Sequence, residues 1–189
     1  MMPQRRKLML NIKPPDSRYY IYNGGQVDGH DFAYKSGWDV SGSGVSYTIN
    51  ENASYLGENC FNIQLYDNST SKVIGVSAVD NAGISGSVLN KYASISIEAA
   101  FELNNVSLGN NLLSIYSSLD GSIYTENTVM SCSLGNSPAA GAFITLTFDL
   151  SEQNFDADKT YYVGYRFQSG ASLRAGYQNC YISRIYLSV

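Results

Sequence analysis

Apolar side chains in this 189-residue chain return at every second residue, and helix-period spacing is hard to find. Val45, Tyr47 and Ile49 alternate with Ser46, Thr48 and Asn50. Phe61, Ile63 and Leu65 do the same, as do Ile95, Ile97, Ala99, Phe101 and Leu103. Ile144, Leu146, Phe148 and Leu150 form another apolar set, and Tyr161, Val163, Tyr165 and Phe167 a further one. Ile185, Leu187 and Val189 close the series. Successive side chains of a strand point to opposite faces, so each run buries one face only. Such strands belong to antiparallel sheets, and two of these packed face to face make a sandwich. Turn signals separate the runs: Asn23-Gly24-Gly25, Ser41-Gly42-Ser43-Gly44, Asp67-Asn68-Ser69, Asp80-Asn81-Ala82-Gly83 and Asp120-Gly121. Asp120-Gly121 suits a tight type I′ turn between residues 112–118 and 123–129. The reading is an all-β chain: an antiparallel jelly-roll β-sandwich of about ten strands over residues 19–189. An arm, residues 1–18, precedes it, and Pro14-Pro15 marks the hinge because neither proline joins a helix interior or a central strand.

Apolar residues at 44% and charged residues at 15% exclude a disordered chain, and the length supports a core without staples. No apolar run approaches a membrane span. Charge is unevenly placed. Residues 1–18 carry Arg5, Arg6, Lys7, Lys13 and Arg18 against Asp16, a net of +4. Residues 19–189 carry seven positive against fifteen negative side chains, a net of −8. A basic arm on an acidic body reads as a docking segment for an anionic partner surface. The acidic body would repel nucleic acid. Leu8-Met9-Leu10-Asn11-Ile12, interrupted by Lys13-Pro14-Pro15, is too short for a secretory signal, so synthesis without one is expected. Cys60, Cys132 and Cys180 have neither disulfide nor metal-ligand spacing and read as buried thiols.

Asn23-Gly24-Gly25-Gln26 and Gly37-Trp38 lie near the start of the body; Phe155-Asp156-Ala157-Asp158-Lys159-Thr160-Tyr161 and Cys180-Tyr181-Ile182-Ser183-Arg184-Ile185 lie near its end. In this order the segments resemble carbohydrate-binding modules with a galactose-binding-domain-like jelly roll. The same sandwich recurs in bacteriophage decoration and appendage proteins. The resemblance implies an inward-packed Trp38. The family often holds a structural calcium, but its Phe-Glu is here Gln26-Val27 and its closing-strand acid is replaced around Ser183-Arg184. A calcium ion wants six to eight oxygen ligands, so no metal and no cofactor is expected. The pairs Asp28/Asp31 and Asp156/Asp158 read as turn chemistry.

Catalysis finds no support in the sequence. His30 stands alone in a polar loop and reads as a solvated turn residue, with no nucleophile nearby. Glu98 and Glu102 are four residues apart, about 13 Å along a strand, too far for a glycosidase pair. Sugar binding has a physical basis, since a tyrosine face stacks on a pyranose and amides or guanidinium bond its hydroxyls. Tyr66, Tyr116, Tyr162, Tyr186 and Arg166 occupy the polar parity of their strands, and Tyr124, Arg174 and Tyr177 sit near turns. Tyr116, Tyr124, Arg166, Arg174 and Tyr177 are taken as the candidate glycan-binding set. A family that works outside cells and a chain without an export signal meet in one expectation. It is a non-enzymatic bacteriophage virion-surface protein: a capsid decoration, head-fibre or tail-appendage subunit. Arg5, Arg6, Lys7, Lys13 and Arg18 would dock it to other virion proteins, and a homotrimer would suit local particle symmetry. The alternative is a glycan-binding module of an extracellular carbohydrate-active system.

Overall fold

The structure, a computed structural model, describes residues 17–38, 45–67, 75–103, 111–119, 127–134, 141–168 and 176–189. Among the described residues twelve strands appear, two more than the alternation predicts. They are β1 (Arg18–Asn23), β2 (Phe32–Trp38), β3 (Val45–Tyr55), β4 (Glu58–Asp67), β5 (Gly75–Asp80), β6 (Ile84–Ser85), β7 (Ser94–Leu103), β8 (Leu112–Tyr116), β9 (Thr128–Ser133), β10 (Ile144–Asp149), β11 (Thr160–Gln168) and β12 (Gly176–Ser188). One helical turn, α1 (Gly86–Leu89), follows β6. The first sheet has the order β10-β7-β12-β4-β3, with β1 also on β12. The second has the order β2-β5-β11-β8-β9, with β6 on β11. All pairings among the described strands are antiparallel.

The predicted apolar faces meet between the sheets. Phe61, Ile63 and Leu65 of β4 and Ile95, Ile97, Ala99 and Phe101 of β7 are buried with Tyr161, Val163, Tyr165 and Phe167 of β11. Ile144, Leu146 and Phe148 pack against this core from an edge strand and keep some exposure, as do Tyr47 and Ile49 at the opposite edge. Within β12 the buried parity changes from Cys180 and Ile182 to Ile185 and Leu187. A one-residue bulge does this: Ile182 pairs with Ala99, Arg184 with Glu98, and Ser183 is the extra residue. A matching bulge in β1, between Tyr20 and Tyr22, lets both Ile21 and Tyr22 bury.

Two turns depart from the sequence reading. A two-residue turn at Asp120-Gly121 would set Tyr116 opposite Thr125. Tyr116 instead pairs with Thr128, so β8 and β9 form a hairpin in another register, and Asp120-Gly121 lie outside the described residues. The tight turn falls at Leu56-Gly57, where Tyr55 pairs directly with Glu58 and both turn residues have positive φ, 53° and 85°.

His30 also corrects its sequence reading. It is no solvated turn residue: its side chain is 3% exposed and lies against Asp80, at 0%. Asp80 Oδ2 can only accept, so His30 Nδ1 donates to it at 2.8 Å, and the Tyr19 hydroxyl lies 3.0 Å from Nε2. Asp80 Oδ1 accepts from the backbone N–H of Asp31 and Ala82. This chain of bonds ties β1 of one sheet to β5 of the other through the loop between β1 and β2. Cys60 and Cys180 are buried and Cys132 half-buried, all as free thiols.

Candidate functional site

The outer face of the first sheet is polar and aromatic, with its side chains ranging from exposed (Thr48, Glu102, Tyr177) to buried (Asn62, Ala100). Three rows of side chains cross it at right angles to the strands, because β3, β4, β12 and β7 pair without a shift here. The first row is Ser46, Tyr66 and Tyr177; the second is Thr48, Gln64, Asn179 and Glu102; the third is Asn50, Asn62, Tyr181 and Ala100. Strands stand about 4.8 Å apart and side chains on one face repeat every 6.7 Å or so, which makes the rows a regular grid.

Hydrogen bonds run across the grid. Gln64 Nε2 donates to Asn179 Oδ1 at 3.0 Å, and Asn179 Nδ2 donates to Glu102 Oε2 at 3.4 Å. Asn62 Nδ2 donates to the carbonyl of Cys180 and to Asn179 Oδ1. The Tyr181 hydroxyl donates to Glu102 Oε2 at 2.8 Å. These bonds hold the amides in fixed orientations, the preorganisation that hydroxyl recognition requires. Aromatic rings flank the amide row on both sides. Tyr66 and Tyr177 meet at 4.7 Å with a 38° tilt, and Tyr177 is 47% exposed. On the other side Tyr55, at the tip of the β3–β4 hairpin, stacks flat on Tyr181 at 4.1 Å, with the edge of Phe143 against it. Burial, with the charge of Glu102, raises the pKa of both Tyr55 and Tyr181, so their hydroxyls remain donors at neutral pH.

The predicted set divides between the two faces of the sandwich. Tyr177 lies on this grid. Arg166 and Tyr116 lie on the outer face of the second sheet, where Arg166 Nη2 donates to Gln168 Oε1 at 2.7 Å. Tyr116 is withdrawn from the glycan set. It is only 2% exposed, packed with Val79, Leu119 and Tyr162 in a cluster of its own. The physical reason is Gly164, which pairs one step along the face and leaves room for the ring: a Cβ there would stand 2.8 Å from Tyr116 Cε2. Tyr124 and Arg174 lie outside the described residues, as do Arg5, Arg6, Lys7 and Lys13, and the side chain of Trp38 is likewise outside the description. Arg18 opens β1 opposite Ser188, with its guanidinium 4.6 Å above the Tyr186 ring. Gln64, Asn179 and Tyr55 escaped the sequence reading, and Glu102 entered it only as half of a rejected glycosidase pair. The signal for them was the alternation itself, which puts Gln64, Tyr66, Tyr177 and Asn179 on the solvent parity of two strands; that these strands are neighbours was not legible.

Arg184, where the resemblance implies an acid, holds the lower part of the same face. Its guanidinium donates to Glu98 Oε2, to Glu58 Oε2 at 3.1 Å and to Asn23 Oδ1 at 3.2 Å. One fixed cation thus joins oxygens from β1, β4 and β7. Among the described residues no group of three or more His, Cys, Asp and Glu side chains converges on a metal position.

No family model and no curated protein matches this chain. Solved structures do match in fold. One is a carbohydrate-binding module of the β-sandwich superfamily studied for promiscuous specificity: 11% identical, TM-score 0.53, covering 89% of this chain and 62% of its own. A family 30 carbohydrate-binding module is 7% identical with TM-score 0.52, covering 93% of this chain and 89% of its own. CBM27-1 of Caldicellulosiruptor saccharolyticus, in complex with mannohexaose, is 12% identical with TM-score 0.50, covering 92% and 97%. This chain therefore spans 62% of the length of the first of these. The chain has the β-sandwich fold of carbohydrate-binding modules.

Proposed function

We propose that this chain is a non-catalytic glycan-binding sandwich that serves as a surface subunit of a bacteriophage particle. The observation that carries the glycan reading is the grid on the first sheet: tyrosine rings, Tyr177 exposed and Tyr66, Tyr55 and Tyr181 half-buried, on either side of a row of oriented amides. Fold likeness to carbohydrate-binding modules supports it, since fold alone leaves function open and the site supplies the chemistry. Catalysis has no comparable support. Glu98 and Glu58 are bound to Arg184 and Glu102 to Tyr181, so these carboxylates hold structure. The test is a glycan array with the full chain and its Tyr177→Ala and Tyr66→Ala variants. Taking the roughly 1–3 kcal/mol of a base stacked on an aromatic ring as the scale, each loss should weaken binding about fivefold or more with the fold intact. A glycan signal that neither change affects would remove this face from the reading.

Charge supports the particle reading. The segment before the sandwich is net positive and the body net negative, so the arm Arg5, Arg6, Lys7 and Lys13 suits attachment to an acidic virion surface outside the host cell. An extracellular glycan-binding module fits the same fold equally, with a dispensable arm. The two readings separate on one deletion. Without residues 1–17 the chain would fold and bind glycan as before; absence from purified particles would favour the virion subunit, and attachment by the intact chain should weaken with salt.

A further inference from the structure

Among the described residues of the grid's three rows, Glu102 is the one charged side chain. Glu102 closes the amide row, and among the described residues of the three rows no Lys or Arg appears. Arg184, lower on the same face, is already committed to Glu98 and Glu58. A carboxylate has about four acceptor positions. Tyr181 and Asn179 occupy Glu102 through Oε2. Two neutral donors hold its position without neutralising its charge, and the residue is exposed at the surface. The body of the chain is also acidic, seven positive against fifteen negative residues, so the longer-range field has the same sign.

The rings set the direction of a bound chain. Tyr177 and Tyr181 lie four residues apart on β12, about 13 Å, and Tyr55 covers one face of Tyr181. That span exceeds one sugar ring, with the amide row and Glu102 between the two aromatic ends. Resting on the glycan reading above, we infer that the face takes an oligosaccharide laid along β12, and that Glu102 makes it select for amino-bearing sugars over uncharged ones and against uronates. An ammonium near Glu102 gains a charge-assisted bond, a hydroxyl gains an ordinary one, and a second carboxylate is repelled.

The experiment is calorimetric titration of the full chain with three β-1,4-linked tetrasaccharides of glucosamine, glucose and glucuronate, at low and high salt. The expected order is glucosamine tightest and glucuronate weakest. Each step should be about two- to fivefold, as for an exposed charge pair, and should shrink at high salt. Glu102→Gln, which keeps an acceptor for Tyr181, should compress the order to near equality. Tyr177→Ala should weaken all three alike and preserve the order. Equal or tighter binding of the glucuronate chain by the wild-type protein overturns the inference while leaving the glycan reading standing. So does an order that survives Glu102→Gln. Binding of none of the three overturns both.

Discussion

Leu56 has a φ of 53° and is 59% exposed at the tip of the β3–β4 hairpin. A type I′ turn requires positive φ at both central residues, a conformation that costs an L-residue other than Gly, Asn or Asp about 1–2 kcal/mol. Leu56→Asn should recover about 1 kcal/mol and raise the melting temperature by about 2–4 °C in a chain of this size. Thermal unfolding followed by circular dichroism measures it; an unchanged or lower midpoint would mean that Leu56 makes up its strain through packing. The same residue explains why this turn was illegible, since turn chemistry is read from Asn, Asp and Gly and a Leu at this position hides it. His30 was hidden for a related reason. A histidine between Gly29 and Asp31 looks solvated in a list of neighbours, and Asp80, which buries it, lies fifty residues on.

At the scale of elements, alternation was a reliable guide to which face each strand buries. β4, β7 and β11 bury the residues that the period of two selects, because these central strands are covered by the opposite sheet. It was a poor guide to register. Bulges at Ile21 and Ser183 each insert one residue, and nothing local in the sequence marks either. Nor did polar parity separate a site from a packed surface, since Tyr66, Tyr116 and Tyr186 were all read on that parity, yet Tyr116 and Tyr186 are buried and Tyr66 is half-buried. The packing of β11 against β8 makes this testable. A Cβ at Gly164 would meet Tyr116 Cε2 at 2.8 Å, Val79 Cγ2 at 2.9 Å and the Ala78 carbonyl at 3.2 Å. Gly164→Ala should therefore cost about 1–3 kcal/mol in urea unfolding, the usual range for overpacking. Tyr116→Ala in the same chain should absorb part of that cost, because neighbours that clash are not additive. Equal losses with and without the tyrosine would rule out the proposed contact.

For the molecule as a whole, burial gives stability a one-sided pH dependence. Tyr19, Tyr22, Tyr165 and Tyr181, with Cys60 and Cys180, all have pKa values raised first by desolvation. These are acids whose neutral form the fold favours. Their contribution is complete below the ordinary values of about 8.5 for thiols and 10 for phenols, and is lost as the pH rises above them. The urea midpoint should be level from pH 7 to about 8.5 and fall steadily beyond. Tyrosinate absorbance should rise together with loss of structure, and a level midpoint at pH 11 would contradict the burial of these groups. The fold class was legible because alternation reports layers; strand order was not, because no local pattern says which strands become neighbours. That order has a kinetic consequence. β12 pairs with β1, β4 and β7, and its ladder with β1 joins residue 18 to residue 188. Apart from the local β3–β4 hairpin, the ladders of the first sheet join distant segments, so much of the chain entropy is lost before the ladders of β12 can form. Folding should thus be slow, on the millisecond-to-second scale of high contact-order sandwiches, with unpaired strand edges exposed until β12 docks.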